Sequence, residues 1–182
     1  MTSQEDPSVK TQEVEISSWI TPDDVEKILN MIAASGLFSA SEIDSAESLA
    51  WDCAYGNGSG PDIFLKATVN EAGNETVIGF LCFGPIPYWP GNYELYALAV
   101  EPEYQRMGIG SALLAEMNKV IAGKDGNSIL LETKTDRAYE TARLFCEANN
   151  FSPEHRFIKQ FIPENGGIVY RCDLSSDVDN LL

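Results

Sequence analysis

The chain of 182 residues is the size of one ordinary domain, and with 44% hydrophobic, 10% aromatic and 22% charged residues it belongs among sequences that bury a core. A formal net charge of −16 would repel a phosphate backbone, which argues against nucleic acid as the main partner and leaves cationic or neutral ones. A single histidine, His155, gives a metal cluster or a Ser-His-Asp triad little to work with, and no apolar run approaches the ~20 residues that a membrane-spanning helix requires.

Along the chain, Val14, Ile16 and Ser18 alternate with Glu13, Glu15 and Ser17, which predicts a short strand ending near Trp19-Ile20. Thr21 as N-cap, Pro22 in the first turn and Asp23 and Asp24 behind it start a helix with the stripe Val25, Ile28, Leu29, Ile32, and Gly36 ends it. A second helix runs from Ser41 through Ile43, Ala46, Leu49, Ala50 and Cys53 to the turn-forming residues 56–60. Asp62–Val69 and Thr76–Phe83 read as antiparallel strands joined by a hairpin loop over Asn70–Glu75. Pro85, Pro87, Pro90 and Gly91 then impose an exposed loop that carries Tyr88 and Trp89, before a third strand, Tyr93–Val100.

A helix over Ile109–Ile121, a buried strand Ser128–Thr133 and a helix over Ala138–Ala148 follow, an alternation that implies parallel pairing with a right-handed crossover. Arg156–Ile162 and Gly167–Cys172 close the chain as a hairpin. The expected fold is α/β (mixed α+β): a sheet of roughly seven strands with helices on both faces, in the order β-α-α-β-β-β-α-β-α-β-β. It occupies one domain, 13–174, between polar acidic tails at 1–12 and 175–182. The four cysteines are widely spaced, form no Cys-x-x-Cys and follow a polar N-terminus without a signal peptide, so a reducing cytosol is expected.

The segment Gln105-Arg-Met-Gly-Ile-Gly110 sits between a strand and a helix, where unpaired amides at a positive helix end make an anion site. Gly108 and Gly110 let an oxyanion approach the backbone, and Arg106 adds charge. The dinucleotide fingerprint would need a third glycine where Leu113 stands, and the Walker loop a Gly-Lys-Ser/Thr ending that is absent. A tight turn with no ligand has the same two glycines.

Leu98-Ala99-Val100, Pro102, Gln105-Arg106-x-Gly108-Ile109-Gly110 and Leu113-Leu114 together resemble the acetyl-CoA-binding motif of the GNAT N-acetyltransferase superfamily, in a bacterial-type branch of unassigned acceptor. The likeness extends over about Val14 to Asp173, because the element order is also that family's order. It implies that Leu98, Ala99 and Val100 meet the pantetheine arm of acetyl-CoA, that Gln105, Arg106, Met107, Gly108, Ile109, Gly110 and Ser111 wrap its pyrophosphate, and that Tyr139 and Arg143 contact the cofactor from the last helix. The implied reaction is attack of an amine on the thioester, and an alkylamine with a pKa near 10 must lose a proton first.

Glu94 stands where several members place a catalytic glutamate, and burial among Tyr93, Leu95 and Tyr96 would raise its pKa; alternatively it is a solvated carboxylate sharing the strand's polar face with Tyr96, opposite Tyr93, Leu95 and Ala97. Departure of the thiolate calls for a proton donor. The family's Phe-Tyr-x-x-x-Gly-Phe appears as Phe145-Cys-Glu-Ala-Asn-Asn-Phe151, so Cys146 replaces the tyrosine, as a donor or as a small core residue. Tyr139 is a substitute donor, a cofactor contact or a surface aromatic. Tyr88, Trp89, Glu94 and Tyr96, with Trp51 and Tyr55 behind them, line the acceptor cleft that the resemblance implies, or else pack locally. No metal is required. The expected activity is acetyl transfer to the primary amine of a small molecule or peptide by a monomer or homodimer, without nucleic acid or membrane; the alternative is a non-catalytic CoA-binding sensor or interaction module.

Overall fold

The computed structural model describes residues 13–56, 60–154 and 167–174. Its elements are β1 (Val14–Ser17), α1 (Pro22–Ser35), α2 (Ala40–Tyr55), β2 (Ile63–Glu71), β3 (Asn74–Pro85), β4 (Asn92–Val100), α3 (Ile109–Ala122), β5 (Ser128–Thr133), α4 (Glu140–Ala148), β6 (Ser152–Pro153) and β7 (Ile168–Asp173). Short 3-10 turns at Pro102–Tyr104 and Arg137–Tyr139 lead into α3 and α4. Cap chemistry sets the first two helix starts. The Thr21 amide and hydroxyl donate to the Asp24 carboxylate at 2.7 and 2.9 Å, and Gly36 ends α1 at φ 65°. Helix α2 begins at Ala40, one residue before the sequence reading, because Ser39 and Glu42 form a reciprocal capping box.

The strands form one seven-stranded sheet in the order β1-β2-β3-β4-β5-β7-β6. All pairs are antiparallel except β4 with β5, which the α3 crossover joins in parallel. One face packs Leu65, Leu81, Phe83 and Leu95 against Leu113, Met117 and Ile121 of α3 and Cys146 of α4. The opposite face packs Phe64, Phe80, Cys82 and Ala97 against Val25, Ile28 and Ile32 of α1 and Ala50 and Ala54 of α2. In this second layer Lys66 of β2 forms a buried ion pair with Asp24 of α1 at 2.9 Å and also reaches the exposed Glu75 carboxylate at 2.8 Å.

Two expectations are corrected. The hairpin loop expected over Asn70–Glu75 is a two-residue turn: Ala72 and Gly73 have φ of 50° and 91°, and the strands stay paired to Glu71 and Asn74. Two consecutive positive φ values give the mirror-image turn whose twist matches that of the flanking strands, so pairing continues to the tip. The strict alternation along β4 also fails, because the pairing steps from Cys82↔Ala97 to Phe83↔Leu95 and leaves Tyr96 as an extra residue. The bulge reverses the phase: Tyr93 and Leu95 face α3, whereas Ala97 joins the α1/α2 layer. The expected strand at Arg156–Ile162 lies outside the described residues.

Candidate active site

Strands β4 and β5 pair only at Asn92↔Ser128, Tyr93↔Ile129 and Glu94↔Leu130, then part, although β4 continues to Val100 and β5 to Thr133. The inner edges of Leu95–Val100 and Leu131–Thr133 therefore bound a cleft in the sheet. The loop after β4 ends at its rim. Gln105 folds back to donate from Nε2 to the Val100 carbonyl at 2.9 Å, and Arg106 and Gly108 hold φ of 63° and 85°.

Gly108 is the N-cap of α3, with no side chain capping it, so the amides of Ile109, Gly110 and Ser111 have no intrahelical partner and form the positive end of the helix. The two glycines serve different ends. A Cβ at Gly108 would meet nothing within 4 Å, so the residue is there for its left-handed backbone; a Cβ at Gly110 would lie 3.0 Å from the Phe145 ring, so this glycine lets α4 close on α3. That second role differs from the anion approach expected of Gly110. Arg106, Met107 and Ser111 are exposed beside the helix end.

Acetyl-CoA fits what lies here. Three free amides suit a pyrophosphate, and the parted strands suit an extended arm. In addition, the Thr133 hydroxyl, three residues beyond the last β4–β5 pair, is buried without a hydrogen-bond partner among the described residues, an orphan that a ligand in the cleft would satisfy.

Glu94 is half-buried on the α1/α2 side of the sheet, where β4 begins to part from β5. Burial first, and the Glu132 carboxylate second, push its pKa up to about 7. Asp62, the residue just before β2, lies beside Gly84 of β3, which in turn pairs with Glu94 of β4, since Ile63 pairs with Phe83 and Gly84 with Glu94. The Tyr96 hydroxyl reaches over Gly84 and donates to Asp62 Oδ1 at 3.0 Å. Asp62 and Glu132 thus enter the site without having been read from the sequence. Thr133 does so as well. Only the parallel register, which pairs Leu130 with Glu94, brings Glu132 two residues further along β5 to act on Glu94.

Tyr139, Arg143, Cys146 and Trp89 are engaged elsewhere in the fold. The Tyr139 hydroxyl donates to the Leu37 carbonyl in the α1–α2 connection, and Lys134 Nζ lies 5.4 Å from the Tyr139 ring centroid and 3.8 Å from Glu42. Arg143 donates to the carbonyls of Lys134 and Asp136, fixing the turn before α4. Cys146 is buried in the core, and that burial pushes its thiol up to about 11. Trp89 packs on Ile86, Leu130 and Val169, while Tyr88 stands fully exposed at φ 60°. Trp51 and Tyr55 stack on each other at 5.5 Å.

No curated protein matches this chain significantly. The family model described as "Acetyltransferase (GNAT) family" matches residues 27–151. A GNAT-family acetyltransferase structure from Desulfovibrio desulfuricans is 29% identical, with a TM-score of 0.77 over 90% of this chain and 100% of that one. The PaiA N-acetyltransferase of Thermoplasma acidophilum, solved with coenzyme A, is 21% identical with a TM-score of 0.66 over 88% of this chain and 99% of its own. The ribosomal-protein-S18-alanine N-acetyltransferase of Escherichia coli is 19% identical with a TM-score of 0.64 over 93% and 99%. These last two share the fold. With the family's element order, a parted β4–β5 pair and an uncapped helix at the family's cofactor motif, the chain belongs to the GNAT acetyltransferase family, whose cofactor is acetyl-CoA.

Proposed function

We propose that this acetyltransferase is an N-acetyltransferase that acts on a primary amine of a small molecule or a peptide, with Glu94 as general base. The observation that carries the reading is a carboxyl held near pH 7, half-buried at the mouth of the cleft that suits the cofactor. An ammonium must give up a proton, and a base whose pKa lies near the working pH is both sufficiently deprotonated and sufficiently basic to take it. Acetyl-CoA supplies the activated acetyl group. Leu98, Ala99 and Val100 would hold the arm along β4, and the segment from Gln105 to Ser111 the pyrophosphate. Among Tyr88, Trp89 and Tyr96, which support the acceptor side in this reading, Tyr96 lies nearest Glu94 along the chain.

The −16 charge suits a cationic acceptor, and four free cysteines suit a cytoplasmic location. Among the described residues, no helix is long and apolar enough to cross a membrane. A second reading, binding of CoA without turnover, is favoured by the state of the two expected donors: the Tyr139 hydroxyl donates to the Leu37 carbonyl, and Cys146 is a core residue. Thiol release from acetyl-CoA over a panel of primary amines, read beside calorimetric binding of acetyl-CoA, decides between them. Release with an acetylated amine supports transfer; tight binding with no release from any amine overturns it in favour of the binding module.

The pH profile is expected to reflect the neighbours of Glu94. As its pKa is raised, the carboxylate needed for proton removal is lost as pH falls through about 7, so kcat/KM should decline on the acid side of that value. Glu132→Gln removes the like charge and is expected to move this limb to lower pH by less than about one unit, because burial is the larger cause. A limb that stays in place or moves up would rule out the Glu132 contribution.

A further inference from the structure

The bulge at Tyr96 and the bare backbone of Gly84 cooperate. A Cβ on Gly84 would lie 2.0 Å from Asp62 Oδ1 and 2.5 Å from the Tyr96 hydroxyl oxygen, so only glycine lets the phenol cross β3 to reach Asp62. Tyr96 itself is the extra residue of β4, and it is 38% exposed. A phenol has one proton to donate. The Tyr96 hydroxyl donates it to Asp62, which leaves the phenol oxygen able only to accept from any further partner, within electrostatic reach of Glu94 two residues away on the same strand.

Resting on the N-acetyltransfer reading, we propose that Asp62 is a positioning residue for the acceptor: by accepting the hydrogen bond of the Tyr96 hydroxyl it fixes the phenol oxygen, lone pair outward, as the second hydrogen-bond acceptor beside Glu94 for the incoming nucleophile. Two acceptors at one atom select a nucleophile that carries at least two hydrogens. A primary ammonium meets this requirement, with one N–H to Glu94 and another to Tyr96. An alcohol has a single O–H and cannot engage both. The pair therefore favours nitrogen over oxygen at the acceptor and, among amines, those with the most N–H groups. It also removes Tyr96 from the possible proton donors to the departing thiolate.

The test compares Asp62→Ala, Asp62→Asn, Tyr96→Phe and wild type, with the best primary amine of the panel as substrate and calorimetric acetyl-CoA binding as the folding control. Asp62→Ala and Tyr96→Phe are each expected to raise the KM for the amine at least about tenfold, while acetyl-CoA binding stays within about twofold of wild type. Asp62→Asn, whose amide oxygen still accepts the Tyr96 hydroxyl, is expected to stay within about threefold in amine KM. Should Asp62→Ala lose acetyl-CoA binding, Tyr96→Phe, which removes only the hydroxyl, carries the same split. An Asn variant as impaired as the Ala variant would mean that the charge itself meets the substrate, and an unchanged KM in both Asp62→Ala and Tyr96→Phe would mean that the pair is only structural. Either result overturns the proposal. No release from any amine by the wild-type chain would instead overturn the N-acetyltransfer reading on which it rests.

Discussion

Glu94→Gln is expected to lower kcat/KM for the amine by about 10²–10⁴ near pH 8 and to abolish the acid limb near pH 7, while leaving the affinity for acetyl-CoA within about twofold of wild type. Glutamine keeps the shape of the side chain and loses only the ability to take a proton, so the change isolates base catalysis. The size follows from what a positioned base contributes, and the pH signature follows from the local field. Glu94 lies on a sheet face covered by apolar residues from α1 and α2, and burial there destabilises its charged form before Glu132 adds like-charge repulsion. A loss caused by misfolding would take cofactor binding with it; a loss of base function would not. Thiol release over the amine panel at several pH values, beside calorimetry, separates the two. Unchanged release in the variant would remove Glu94 from the mechanism.

The parts of this site that lie close together in the chain were legible in the sequence. The segment from Gln105 to Gly110 announces a turn into a helix end because glycine, a helix stripe and a preceding strand are all local signals, and α3 begins at the residue they indicate. What joins distant segments was not legible. The meeting of Asp62, Gly84 and Glu94 depends on how β2, β3 and β4 pair, and the position of Tyr96 depends on a one-residue bulge that no hydrophobic pattern marks. A strict alternation put Ala97 beside Tyr93, and the bulge moved it to the other face. Gly110 illustrates a subtler limit: its place in the motif was evident, but that Phe145 of α4 rests on it could be learned only from the packing. Tyr139 likewise read as a residue of the last helix, whereas its hydroxyl holds the connection between the first two.

The largest stability effect is expected where α1 meets the sheet. Lys66 is 5% exposed and lies between Asp24 and Glu75, so Lys66→Met would leave the Asp24 carboxylate buried without its cation, a loss of about 3–5 kcal/mol at pH 7 by urea denaturation. The double variant Asp24→Asn/Lys66→Met should recover most of this, because the asparagine can still accept from the Thr21 amide and the one charge left without its partner, Glu75, is exposed to water. The pH dependence has a definite sign. Desolvation pushes the Asp24 carboxyl up, but the Thr21 hydrogen bonds and Lys66 outweigh it and hold it below the ordinary aspartate value. Its contribution is therefore present above the unfolded pKa of about 4 and disappears as pH falls through the lower folded value. Desolvation pushes Lys66 down, but Glu75 and Asp24 outweigh it and raise its pKa, so that contribution is present below about 10.4 and disappears as pH rises through the folded value. The penalty of Lys66→Met should accordingly be flat between about pH 5 and 9 and shrink in acid, where Asp24 takes up a proton and no longer needs a partner. A penalty below about 1 kcal/mol at pH 7, or one that does not fall in acid, would show that the pair does not hold α1 to the sheet.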